Sequence, residues 1–262
     1  MASYLKFWFM MSFNLLPLVF GEPQVPCLFI MGDSLFDNGN NNNLATAAKA
    51  NYPPYGIDFP NGPTGRFSNG QNMADFIAEL LGFDKPIPPF ATATGREILM
   101  GVNYASGAAG IRDETGYQLG DRISLNRQLV NHQTTVSSIA SLLGSKEEAA
   151  NHLQKCIYLV NIGSNDYINN YLMPQNYQTS VVYNPDQYAT VLTQQYSQQL
   201  KTLYGYDARN FAAFGLGQIG CIPAETANNG TNGCVETINE DVRRNWVILI
   251  ATFLVPSLST LI

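Results

Sequence analysis

The chain has 262 residues, 45% apolar and 13% charged, which suffices for one globular domain and lies far from the composition of a disordered chain. Its 14 Lys and Arg against 20 Asp and Glu give a net charge of −6, and the sequence holds no basic cluster, so no nucleic-acid partner is expected. Fourteen Tyr, 14 Phe, 22 Gly and 14 Pro point to a loop-rich enzyme or binding domain rather than a coiled coil or a repeat array.

Residues 1–21 read as a secretory signal peptide. Lys6 precedes an uncharged, mostly apolar run from Phe7 to Phe20, too short to span a bilayer, and Gly21 offers a small residue for cleavage. The apolar run 25–31 ends in Gly32-Asp33-Ser34 and predicts a buried parallel strand that leads into a Gly/Asn-rich loop over 38–43. Asn69 is expected to cap a helix with Met73, Phe76, Ile77, Leu80 and Leu81 on one face and Gly82 as its stop. A second strand is predicted over 101–106. Helices follow over 121–143 and 146–155, the latter with Ser145 and Glu148 spaced as a capping box.

Residues 156–162 predict a third buried strand. The helix expected over 186–204 carries Tyr188, Val191, Leu192, Tyr196, Leu200 and Leu203 on one face, and a fourth strand over 210–214 runs into Gly215. Residues 215–220 spell G-x-G-x-x-G, but Cys221-Ile222-Pro223 interrupts where a dinucleotide-binding helix would open, so no cofactor is expected. From Trp246 to Ile262 there is no charge and 12 of 17 residues are apolar. This tail, 246–262, reads as a lipid-anchor signal, as a helix continuing into the core, or as a non-native end; no stable membrane span is expected.

Secretion brings the four cysteines into an oxidising compartment. Cys221 and Cys234 flank a Gly/Asn-rich loop and are the disulfide candidate, whereas Cys27 and Cys156, heading apolar strand-like runs, equally suit buried thiols. Asn229-Gly230-Thr231 is an N-glycosylation acceptor on the same loop as Cys221 and Cys234. With two histidines and neither C-x-x-C nor H-E-x-x-H, no metal site is expected.

Alternating strands and helices imply right-handed crossovers and a three-layer α/β/α sandwich with a mostly parallel sheet, binding its ligand beyond the carboxyl ends of the strands. Gly32-Asp33-Ser34, Ser106-Gly107 and Gly163-Ser164-Asn165-Asp166 all fall at such ends. A serine in a tight turn after a strand suits a nucleophile, while a glycine N–H and an asparagine amide suit the stabilisation of an oxyanion. Chemistry alone leaves the alternative that all three are ordinary turn residues.

The stretches Phe29–Asn42 (FIMGDSLFDNGNNN), 65–70 (GRFSNG), 103–110 (NYASGAAG), 162–167 (IGSNDY) and 215–221 (GLGQIGC) resemble the plant GDSL esterase/lipase family of the SGNH hydrolases, in the right order over residues 25 to 244. The resemblance implies a flavodoxin-like α/β/α fold over 22–245, secretion to the extracellular space or cell wall, and hydrolysis of acyl or lipid-like carboxylic esters. It assigns Ser34 as nucleophile and backbone oxyanion donor, Gly107 and Asn165 as the remaining oxyanion donors, and Asp33 and Asp166 as residues that organise their loops. In that family the general base is a histidine in a C-terminal Asp-x-x-His motif, which this sequence does not contain, so the fold is expected to be incomplete at its C-terminus and the base is unknown. His132 and His152 fall in helical stretches away from the strand ends, so impaired turnover is expected. The alternatives are a non-catalytic ester- or lipid-binding protein and a truncated splice product.

Overall fold

The computed structural model describes residues 22–230 and 233–243. The predicted signal peptide and the apolar tail lie outside the described residues. Strands β1 (Leu28–Gly32), β2 (Ile157–Asn161) and β3 (Asn210–Ala213) form a parallel sheet in the order β1-β2-β3, with Leu28 opposite Ile157 and Ile157 opposite Asn210.

The strand expected over 101–106 is reduced to an extended segment on the outer edge of β1. It pairs through Ile30 N–H to the Val102 carbonyl (3.0 Å), Tyr104 N–H to Ile30 (2.7 Å) and Ser106 N–H to Gly32 (3.1 Å). Its far side meets the Pro88-Pro89 segment, where Asn103 N–H donates to the Pro88 carbonyl. Prolines have no N–H to extend a ladder, so pairing stays at isolated bridges.

Side-chain alternation along β1 divides the core into two. Phe29 and Met31 face one cluster with Leu125, Leu129, Leu153, Tyr188 and Leu192, while Leu28 and Ile30 face another with Ala74, Ala78, Phe83 and Ile87. Helix α1 (Met73–Leu80) therefore covers one face, and α2 (Leu125–Leu143), α3 (Lys146–Leu153) and α6 (Pro185–Gly205) cover the other, giving the expected α/β/α layering. Between them, α4 (Ser164–Asp166) continues into a wider turn over Tyr167–Tyr171, followed by the short α5 (Thr179–Val182); α7 (Pro223–Asn228) follows β3. No described helix is long and apolar enough to cross a membrane.

Two helix expectations are corrected. The cap of α1 is Asn72, not Asn69: its side chain accepts the Asp75 N–H at 3.0 Å while Asp75 Oδ2 accepts the Asn72 N–H at 2.9 Å, a complete capping box. Asp75 is fixed by a buried, two-pronged pair with Arg66, Nε to Oδ2 at 2.6 Å and Nη2 to Oδ1 at 2.8 Å. That anchor turns the small residues Ala74 and Ala78 onto the sheet, and Met73, Phe76 and Leu80, expected inside, are exposed. Helix α2 starts at Leu125 after the Ser124 cap, because Asp121 N–H is held by the Ala45 carbonyl at 2.9 Å.

Candidate active site

Gly32 lies opposite Asn161, and Ser106 bonds Gly32 on its other side, so the turns that follow these three residues stand side by side at the carboxyl ends of the strands. Ser34, Gly107 and Asn165 occupy those neighbouring turns. Gln128 of α2, fully buried, clamps the middle one: it accepts the Gly32 N–H at 2.9 Å and donates to the Gly32 carbonyl at 2.8 Å.

Beyond Gly32 the chain turns around Asp33. The Asp33 carbonyl accepts from Phe36 and Asp37, and its Oδ1 accepts the Leu35 N–H at 3.0 Å. Asp33 and Phe36 are buried, which leaves Ser34, partly exposed, and Leu35, exposed, at the crest. Asp166 occupies the corresponding position beside Asn165. Its carboxylate accepts from Ile111 N–H (2.8 Å), Arg112 N–H (3.1 Å) and the Thr115 hydroxyl (2.7 Å), so it ties the 111–115 loop to the end of β2.

Gly107 has no room for a side chain, since a Cβ would stand 2.6 Å from the Phe67 ring and 2.9 Å from Asn41 Nδ2. Its N–H donates to Asp37 Oδ2 at 2.9 Å. Asn165 Nδ2 donates to the Ala109 carbonyl at 2.9 Å, and its Oδ1 accepts from Asn169 at 2.7 Å. The sequence suggests that both donors face a substrate; in the structure each has a protein partner, because buried acceptors in the packed turns compete for the same hydrogens.

Three buried carboxyls share this end of the sheet. Burial raises Asp33 to about 7, reinforced by the charges of Asp166 and Asp37 and opposed by the Leu35 N–H. Burial raises Asp37 to about 6 against the Gly39, Gly107 and Asn40 N–H groups, and raises Asp166 to about 6 against Ile111, Thr115 and Arg112. Even three donors do not offset desolvation at these sites, so protons are held nearer neutrality than a solvated carboxyl holds them.

Neither histidine comes near this rim. His132 on α2 is fully buried among Phe29, Tyr104, Tyr158 and Tyr206, with Nδ1 3.1 Å from the Tyr104 hydroxyl, and burial lowers it to about 3. His152 on α3 lies 3.3 Å from Cys27 Sγ. Cys27 precedes the five-residue strand β1 and Ser34 follows it in the next turn, so the length of that strand, about 17 Å, separates the end of the sheet that His152 contacts from the Ser34 turn.

Several residues of this end were not visible as a site in the sequence. In the Asn-rich loop, Asp37 Oδ1 accepts from Gly39 and Asn40, both at 2.8 Å. Asn40 donates to the Asn103 and Ala105 carbonyls at 2.9 and 2.8 Å, and Asn41 to those of Ala48 and Gly107 at 2.8 and 3.0 Å. This loop is therefore a buried scaffold for the Gly107 turn; the only sequence cue was the density of Asn residues suited to bonding nearby backbone.

Cys221 and Cys234 form a disulfide, as expected, and Cys27 and Cys156, for which buried thiols were an equal alternative, form a second one. Asn229 is exposed at the end of α7. The G-x-G-x-x-G segment runs into a single turn at Ile219–Cys221, not into a long helix.

Residues 28–248 match the profile of a family described as GDSL-like lipase/acylhydrolase. A GDSL esterase/lipase of Arabidopsis thaliana is 55% identical over 246 residues, covering 91% of this chain and 67% of the relative. Two others from the same plant are 56% identical over 224 residues (85% and 62% covered) and 54% identical over 232 residues (88% and 64% covered). The chain thus spans about two thirds of the length of the curated relatives it matches.

Proposed function

The chain belongs to the GDSL-like lipase/acylhydrolase family, and on that premise we propose that it is a carboxylic ester hydrolase whose Ser34 forms an acyl-enzyme with the substrate's acyl group. The observation that carries the reading is the position of Ser34, partly exposed with Leu35 on a turn at the carboxyl end of β1 that buried Asp33 and Phe36 anchor on either side. In the proposed reaction the Ser34 hydroxyl attacks the ester carbonyl, the alcohol leaves, and water then releases the acid. The Ser34 N–H and the second amide hydrogen of Asn165 stabilise the oxyanion, and the Gly107 N–H joins them when it turns from Asp37.

Proton transfer is the weak step for these residues acting alone. His132 is sealed in the core and His152 stands at the opposite end of β1, so neither serves as base, and turnover by this chain is impaired. In other serine hydrolases the loss of triad members lowers turnover by about 10⁴ to 10⁶. The two disulfides and the exposed Asn229 support a secreted, glycosylated protein of the extracellular space or cell wall, acting on small acyl or lipid-like esters. A second reading, an ester- or lipid-binding protein without turnover, is favoured by the protein partners that Gly107 and Asn165 already hold.

A fluorophosphonate probe and a p-nitrophenyl ester test these readings together. The proposal expects labelling confined to Ser34, lost in Ser34→Ala, with hydrolysis only slightly above that variant. Absence of any labelling of folded protein would favour the binding reading.

A further inference from the structure

At the amino ends of the strands, opposite the proposed active site, Cys27, His152 and Cys156 bring three soft ligand atoms within 4.8 Å of one another. The strand register dictates the first contact: Leu28 pairs with Ile157, so Cys27 and Cys156 stand side by side one residue before β1 and β2. The last turn of α3 adds His152, four residues before Cys156. His152 Nε2 is 3.3 Å from Cys27 Sγ and 2.8 Å from the Leu99 carbonyl, to which it donates. Both cysteines are fully buried and His152 is partly exposed, so the cluster opens to solvent on the imidazole side.

From this geometry we infer that the cluster is a reduction-gated site for a zinc-like divalent cation. In the oxidised chain the Cys27–Cys156 disulfide occupies the two sulfur positions. A dithiol reductant converts the cystine to two thiols and is itself oxidised to a disulfide. The cation then takes two thiolates and the imidazole, and two protons leave; the Nε2 proton moves to Nδ1 and the Leu99 contact is given up. Two metal–sulfur bonds of about 2.3 Å and one metal–nitrogen bond of about 2.0 Å in a tetrahedron put sulfur and nitrogen about 3.5 Å apart, close to the 3.3 Å already present between Cys27 Sγ and His152 Nε2. Three protein ligands leave the fourth position to water. The site fixes β1, β2 and α3 to one another in the reduced chain as the disulfide does in the oxidised one.

Cobalt(II) is the probe, titrated into the full chain carrying Cys221→Ser and Cys234→Ser, so that only the proposed cysteines can report. After reduction and removal of reductant, a thiolate-to-cobalt charge-transfer band and tetrahedral visible bands are expected to saturate at one cobalt per chain. The oxidised chain should give neither, Cys156→Ser, left with one thiolate, should show at most about half the charge-transfer intensity, and His152→Gln should weaken binding by about tenfold or more. Equal binding by oxidised and reduced protein, no charge-transfer band, or an unchanged titration in His152→Gln would each overturn the inference. If reduction erases the near-ultraviolet circular dichroism, recovery on adding cobalt supports the site, and failure to recover overturns it.

Discussion

Asp37 Oδ2 accepts the Gly107 N–H at 2.9 Å across 70 residues of sequence, while its Oδ1 holds Gly39 and Asn40. One buried carboxyl therefore shapes its own loop and the neighbouring turn. Asp37→Ala leaves three buried N–H groups without an acceptor, each costing about 1–3 kcal/mol, and is expected to destabilise the fold by several kcal/mol. Asp37→Asn keeps one acceptor oxygen and should lose less. Urea unfolding of the three proteins measures the ranking, and equal midpoints for Asp37→Ala and wild type would exclude this role.

The Arg66–Asp75 pair fixes the orientation of α1, and both side chains are about 95% buried. Removing one partner strands a charge: Arg66→Ala or Asp75→Ala should cost about 3–5 kcal/mol. The double change Arg66→Ala with Asp75→Ala should cost clearly less than the two single changes together. A double-mutant cycle checks this, and strict additivity would remove the pair from the account of α1.

Gly110 and Gly205 make a contrasting pair for alanine substitution. A Cβ at Gly110 would stand 2.5 Å from Thr115 Cγ2 and 2.7 Å from Asp166 Oδ1, whereas at Gly205 it meets nothing within 4 Å. Gly110→Ala is expected to destabilise by more than about 2 kcal/mol through overpacking, and to depress fluorophosphonate labelling of Ser34 by disturbing Asp166. Gly205→Ala, at the end of α6, should be neutral or stabilising by up to about 1 kcal/mol. Thermal melts and labelling rates read both outcomes.

His132 sets a stability slope in acid. Its value is lowered by burial from 6.5 to about 3, so the stability it contributes is present above pH 6.5 and is lost as pH falls towards 3. The unfolded chain binds one more proton in that window, worth up to about 1.4 kcal/mol per pH unit. Asp33, Asp37 and Asp166, whose values are raised, contribute in the opposite sense: their stabilisation is lost as pH rises through about 6 to 7. Comparing wild type with His132→Gln isolates the histidine, since the aspartates are common to both. The gap between them should narrow on going from pH 7 to pH 4, and parallel pH profiles would contradict the assignment.

What the sequence determined by itself is local and periodic. Apolar runs stopped by glycine located β2 and β3 to within one residue and β1 to within three, and helical periodicity found the buried face of α6 with Tyr188, Leu192, Tyr196, Leu200 and Leu203. Motif order placed Ser34, Gly107 and Asn165 at strand ends, because a strand followed by a tight turn is written in adjacent residues. Tertiary structure alone decided the partners of those groups: Asp37 for the Gly107 N–H, Ala109 for the Asn165 amide, Arg66 for Asp75, and Cys156 for Cys27. It also turned Met73, Phe76 and Leu80 outward, against their helical pattern. The physical reason is common to all of these. A buried donor, charge or thiol takes whichever complementary atom the packed chain brings within about 3 Å, and that atom lies 9 to 129 residues away, beyond the reach of periodicity or local propensity.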